Sequence, residues 1–115
     1  FLSLHAPATP ETTNLLNAET IARLAKGAIV INTARGSLIN DDALIAALQS
    51  GKVRGAGLDV FNGEPKIDPR YASLKNVILA PHMASATEET RTAMGMLCLD
   101  NIAAVLSGKA PLTQI

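Results

Sequence analysis

Four short apolar runs punctuate the chain, and the polar stretches between them carry helix-start and helix-stop signals. Phe1 to Leu4 reads as a buried strand. Ala28 to Asn32 is a continuous β-branched run, the pattern of a strand buried on both faces of a parallel sheet. Gly55 to Val60 and Val77 to Ala80 form the third and fourth strands, the last stopped by Pro81. Pro7 and Pro10 make His5 to Pro10 a loop, because proline supports neither ladder nor helix interior. Asn17 is placed to cap a short helix through Leu24, with Gly27 just past its end. Asn40 caps a second helix, Asp41 to Gln49, whose two leading acids complement the helix dipole and which Gly51 ends. Phe61 to Lys75 is a polar, proline-bearing connection. A long helix runs from about Thr87 to Leu106, with Ala93, Met94, Leu97, Cys98, Ile102 and Val105 on its apolar side and Gly108 and Pro111 closing it.

The resulting order is β-α-β-α-β-loop-β-α. Strands separated by helices of about ten residues predict right-handed crossovers and an α/β fold with a parallel sheet. The chain shows no internal repeat, low-complexity tract or linker, so one domain, or part of one, describes it. It opens directly on an apolar strand at Phe1, which predicts that it has been cut from something longer.

Composition narrows the picture. Nearly half of the 115 residues are hydrophobic but only three are aromatic, so the core must be built from Ala, Leu, Ile and Val, which suits layered α/β packing. Ten basic and ten acidic residues cancel, which gives no reason to expect a nucleic-acid partner or an anionic membrane surface. No apolar run is long enough to span a bilayer. The single cysteine, Cys98, forms no internal disulfide, fits a reducing compartment, and falls where inert packing is expected.

In an open parallel sheet, ligands bind at the carboxyl ends of the strands. The residues just beyond each predicted strand are His5 and Pro7, then Thr33, Ala34, Arg35 and Gly36, then Asp59, then Pro81 and His82, with Glu64 in the loop after the third strand. An Arg, two His and two carboxylates thus gather at one edge of the sheet. Arg35 offers a planar fork of donors for a carboxylate. His82 is suited to proton transfer near neutral pH, and a carboxylate beside it favours the charged imidazole. Taken singly, Arg35 also reads as a surface-turn arginine, Glu64 as a solvated loop acid, His82 as a structural histidine and Asp59 as a loop cap. Their joint placement favours a site. Gly55-Ala56-Gly57 begins like a dinucleotide fingerprint but lacks the third glycine and the following helix, so its glycines are expected to permit close packing. His5 and His82 have no cysteine cluster or carboxylate spacing to support a metal site.

Four segments carry a family resemblance. Leu4 to Thr12 is similar to LHxPxTxxT, Gly27 to Gly36 to GAxxINxARG, Gly55 to Pro65 to GAxLDVFxxEP, and Asn76 to Thr87 to NVxxxPHxxxxT. In this order they resemble the NAD-binding domain of the D-isomer-specific 2-hydroxyacid dehydrogenases, with the glyoxylate/hydroxypyruvate reductases nearest. The resemblance implies the C-terminal part of a partial Rossmann-like, doubly wound parallel sheet, whose last helix and tail lead back towards a substrate domain. It implies that Arg35 binds the substrate carboxylate, that His82 is the general acid in reduction, and that Glu64 hydrogen-bonds His82. Asp59 would contact the nicotinamide carboxamide, and His5, Pro7, Thr12, Thr33, Ala34 and Ser85 would lie along an NAD or NADP cofactor beside Arg35 and His82. The implied substrate is a small 2-oxo acid, and the implied assembly a cytoplasmic homodimer with no nucleic-acid or membrane partner. The family's glycine-rich phosphate loop and ribose-reading residue have no counterpart in these 115 residues, so NAD and NADP stay undivided and the fragment alone is expected to be inactive. The alternatives are a non-catalytic, dinucleotide-dependent module of the corepressor kind, and the phosphoglycerate or formate dehydrogenase branch.

Overall fold

The computed structural model describes residues 1–114 and has an α/β fold. It divides into two compact units, Phe1–His82 and the segment from Met83 onward. The first unit holds four parallel strands, β1 (Leu2–Leu4), β2 (Ala28–Asn32), β3 (Val53–Leu58) and β4 (Val77–Leu79), lying side by side in chain order. Helices α1 (Ala18–Arg23) and α2 (Asp41–Gln49) connect β1 to β2 and β2 to β3. The second unit contains α3 (Glu88–Leu106).

The local signals act as expected. The Asn17 side chain accepts from the Thr20 amide while Thr20 Oγ1 accepts from the Asn17 amide, a reciprocal cap that starts α1. Lys52 Nζ reaches the carbonyls of Ala22 and Leu24 at 2.8 and 2.5 Å and satisfies the helix's far end. Asn40 Oδ1 accepts from the Ala43 amide at 2.9 Å and starts α2. Leu44, Ile45, Ala47 and Leu48 of α2 are buried, and α2 packs against β3 and α1.

The strands bury one face. Leu4, Asn32 and Leu58 share a register row, as do Val30 and Ala56, and all five are buried. The opposite face carries the row Ser3, Ile31, Gly57 and Ile78, where Ile31 is half-buried and Ile78 is 76% exposed. The β2 run is therefore covered on one side only, against the expectation from its unbroken hydrophobicity. Both connecting helices pack into one core, and Ile29 and Ile31 lie over the glycines of β3 instead. Gly57 has room for that contact because a Cβ there would stand 3.1 Å from the Ile31 side chain.

Several element bounds shift: β1 starts at Leu2, leaving Phe1 97% exposed and outside the ladder, and β4 ends at Leu79, one residue before Ala80. The third strand starts at Val53, not Gly55, because Val53 is fully buried and pairs with Ala28 directly after the turn at Gly51. It ends at Leu58, which puts Asp59 and Val60 beyond it. Short 3-10 turns at Gly36–Leu38 and Pro69–Ser73 interrupt stretches that gave no periodic signal. Helix α3 begins after its cap Thr87, as its sequence indicates, but it buries no residue. Met94, Leu97, Ile102 and Val105 are about half exposed, and Cys98 is exposed rather than packed. Met96, Leu99 and Leu106 lie off the expected apolar side, so the helix is hydrophobic around most of its girth. Asn101 binds Thr113 through both ends of its amide, which ties the tail to α3. No helix of the described residues is long and apolar enough to cross a membrane.

Candidate active site

The carboxyl ends of the strands are built around Asn32. It is the last residue of β2 and has no exposed surface. Its Oδ1 accepts from the Ala34 amide at 3.1 Å and its Nδ2 donates to the Arg35 carbonyl at 2.9 Å. One side chain thus clamps the loop that carries Thr33, Ala34 and Arg35. The Asn32 carbonyl also accepts from the Asp59 amide at 2.9 Å, which ties the end of β3 to the same point. The place of Asn32 at the end of a strand follows from the apolar run, but its bracing role depends on contacts that periodicity does not express.

Thr33 and Arg35 are exposed and Ala34 is half-buried. Arg35 Nη1 donates to the Ala34 carbonyl at 2.7 Å, within its own loop. Asp59 is only 5% exposed. At the end of β1, His5 Nε2 lies 2.8 Å from Ser3 Oγ. Thr12 closes the following loop by donating to the Pro7 carbonyl at 2.7 Å and accepting from the Thr9 amide at 2.8 Å. Ser85 belongs to the second unit, where it lies exposed in a turn closed by the Ala86 amide and the Met83 carbonyl.

Glu64 and His82 meet directly. His82 follows β4 through Ala80 and Pro81 and takes a left-handed backbone, φ 53°, which is uncommon for a residue with a side chain and is concentrated at functional sites. Its Nδ1 lies 2.8 Å from Glu64 Oε2. The other oxygen, Oε1, accepts from the Phe61 amide at 2.8 Å. The hydrogen bond from His82, and then that from Phe61, hold the Glu64 carboxyl below the ordinary range, while partial desolvation and the charge of Asp59 oppose them. The Glu64–Pro65 peptide is cis. Beside the pair opens a cleft of about 610 Å³ with mainly apolar walls, among them Phe61, Pro65, Ile67 and Leu79.

The Arg35 loop and the Glu64 loop touch at Gly36. A Cβ at Gly36 would lie 2.0 Å from the Phe61 carbonyl carbon and 2.5 Å from the Asn62 nitrogen, so the Phe61–Asn62 peptide rests on the glycine. The structure therefore joins Glu64 to His82 by a hydrogen bond and the Arg35 and Glu64 loops by backbone packing. His5 and Thr12 make bonds within the β1 end of the same sheet edge.

Residues 1–84 match the family described as D-isomer specific 2-hydroxyacid dehydrogenase, NAD binding domain. The chain belongs to this family. It is 44% identical over 111 residues to a glyoxylate reductase of Thermococcus litoralis, covering 96% of this chain and 34% of that one. It is 45% identical over 109 residues to a D-3-phosphoglycerate dehydrogenase of Methanocaldococcus jannaschii, covering 95% and 21%. Among solved structures, it superimposes on the NADPH-dependent glyoxylate/hydroxypyruvate reductase of Sinorhizobium meliloti, in complex with NADP and malonate. The TM-score is 0.94 with 41% identity, over 99% of this chain and 36% of that one. The chain thus spans about a third or less of the length of the 2-hydroxyacid dehydrogenase relatives it matches.

Proposed function

We propose that the protein containing this chain is an NAD(P)-dependent oxidoreductase that reduces a small 2-oxo acid, of the glyoxylate or hydroxypyruvate kind, to the D-2-hydroxy acid. The observation that carries this reading is the Glu64–His82 contact at the strand ends of a family member. With Nδ1 committed to Glu64, Nε2 is the nitrogen that delivers a proton to the carbonyl oxygen. The Glu64 carboxylate holds Nδ1 and so orients the ring towards the substrate. Arg35, on the loop clamped by Asn32, presents its guanidinium to the substrate carboxylate and polarises the carbonyl.

The residues present fit the nicotinamide end of a dinucleotide. Asp59 is a buried carboxylate at a strand's carboxyl end, suited to accept from a carboxamide. His5, Pro7, Thr12, Thr33 and Ala34 would lie along the cofactor with Arg35 and His82. Bound NADH or NADPH would supply the hydride. The chain would form the C-terminal part of the cofactor domain, with its last helix leading towards a substrate domain, in a cytoplasmic homodimer.

Similarity at 44% and 45% to a glyoxylate reductase and a phosphoglycerate dehydrogenase does not separate their substrates. The test is therefore a substrate panel: glyoxylate, hydroxypyruvate and 3-phosphohydroxypyruvate, each with NADH and NADPH, on the full-length protein. His82→Asn is expected to lower kcat by about 10²- to 10⁴-fold, far more than it changes the cofactor KM. Dinucleotide binding with no turnover of any 2-oxo acid would support the non-catalytic module instead.

A further inference from the structure

Glu64 stands on an exposed loop, yet its contact with His82 requires a fixed position. The internal support of the loop is slight: Lys66 donates to the Gly63 carbonyl at 3.0 Å, and Gly63, Pro65, Lys66 and Ile67 are exposed. The anchoring comes from outside it, at Asp41. The Asp41 carboxylate uses both oxygens. Oδ2 accepts from Asn62 Nδ2 at 3.0 Å, and Oδ1 accepts from the Tyr71 hydroxyl at 2.7 Å. Asn62 Nδ2 also donates to the Ile39 carbonyl at 3.0 Å. Tyr71 is 2% exposed, and its ring meets the Phe61 ring edge-on with centroids 6.5 Å apart. Asp41 therefore grips the connection on both sides of Glu64, next to the peptide whose amide holds Glu64 Oε1.

We propose that Asp41, in the first turn of α2, is a positioning residue for the Glu64–His82 pair, acting through Asn62 and Tyr71. The proposal rests on the functional reading above. A role confined to the helix dipole is a poor account of Asp41. Such a role asks only for negative charge in the first turn, and the adjacent Asp42 supplies that as well. It does not require both Asp41 oxygens to be engaged by side chains 21 and 30 residues away.

The test is a reciprocal exchange in the full-length protein. Asn62→Asp sets a second carboxylate against Asp41 and should displace the loop. The double variant Asp41→Asn/Asn62→Asp restores a donor opposite an acceptor at that contact and leaves an amide oxygen for Tyr71, while the bond from residue 62 to the Ile39 carbonyl stays lost. Turnover should fall about tenfold in Asn62→Asp with the cofactor KM unchanged, and recover in part, by about threefold over the single variant, when Asp41→Asn is added. Hydrogen exchange at the Phe61 amide gives the same answer without turnover, rising in the single variant and falling part of the way back in the double. If wild-type protein reduces no 2-oxo acid, the functional reading fails and the exchange data still decide the positioning role. Tyr71→Phe, which keeps the buried ring, is the second probe should Asn62→Asp fail to fold, and it should speed exchange at Phe61. Wild-type exchange in Tyr71→Phe, or a double variant no better than Asn62→Asp, overturns the proposal.

Discussion

Glu64 is held by two donors, the His82 ring and the Phe61 amide, and both favour its ionised form. Its folded-state pKa is therefore lower than its unfolded value. The linked stability is complete above the ordinary glutamate value of about 4.3 and is lost as the pH falls through the folded value. Both side chains of the pair are well exposed, 53% for His82 and 34% for Glu64, so solvent screens the contact and its effect on stability stays within about 1 kcal/mol. Glu64→Gln should lower the urea midpoint slightly near neutral pH, with the gap closing below about pH 4. Denaturation at both pH values checks this, and a gap that persists in acid would place its origin elsewhere. At this scale Glu64 and His82 were legible because their residue types suit proton transfer and both follow strands. The contacts of Asn32 and Asp41 around the candidate site were not legible. A buried amide clamping its own loop and a helix-start acid reaching 30 residues ahead are tertiary contacts, and no local pattern encodes them.

The elements place two loops against each other, and Gly36 is where they meet. Its Cα lies under the Phe61–Asn62 peptide, and the atoms a Cβ would strike are backbone, which no rotamer change relieves. Gly36→Ala must push the loops apart. It is expected to destabilise the protein by about 1 to 3 kcal/mol, as overpacking does, and to lower turnover by more than its loss of stability explains. Comparing kcat with the unfolding midpoint in the full-length protein separates the two effects; normal kcat at a lowered midpoint would show that the loops align without this contact. The sequence shows a glycine after an arginine, but not that a chain 25 residues later rests on it. Elements were more readable than their contacts. β2 and α2 have the bounds their β-branched run and capping asparagine indicate, because those signals are local. β3 was misplaced by two residues, because its first residues are recruited by pairing with β2 and not by their own pattern.

The whole molecule shows what local patterns leave open: which apolar faces find a partner. β1 and β4 are the edges of the four-stranded sheet, one sheet face bears a 76% exposed Ile78, and α3 buries nothing. A helix hydrophobic around most of its girth is characteristic of one enclosed by other elements, and exposed edge strands invite pairing with another chain. Chain length points the same way, since the relatives described above are about three to five times longer than the segment they share. The 115-residue polypeptide, made by itself, is therefore expected to self-associate and to show no measurable 2-oxo acid reduction. The strand-end residues would still be present, but the sequence has no glycine-rich turn for the cofactor's pyrophosphate. Sedimentation velocity and a coupled nicotinamide absorbance assay on the same preparation check both halves. A monodisperse monomer that turns over glyoxylate would mean that the open faces are tolerated and that cofactor and substrate need only the strand-end residues described here.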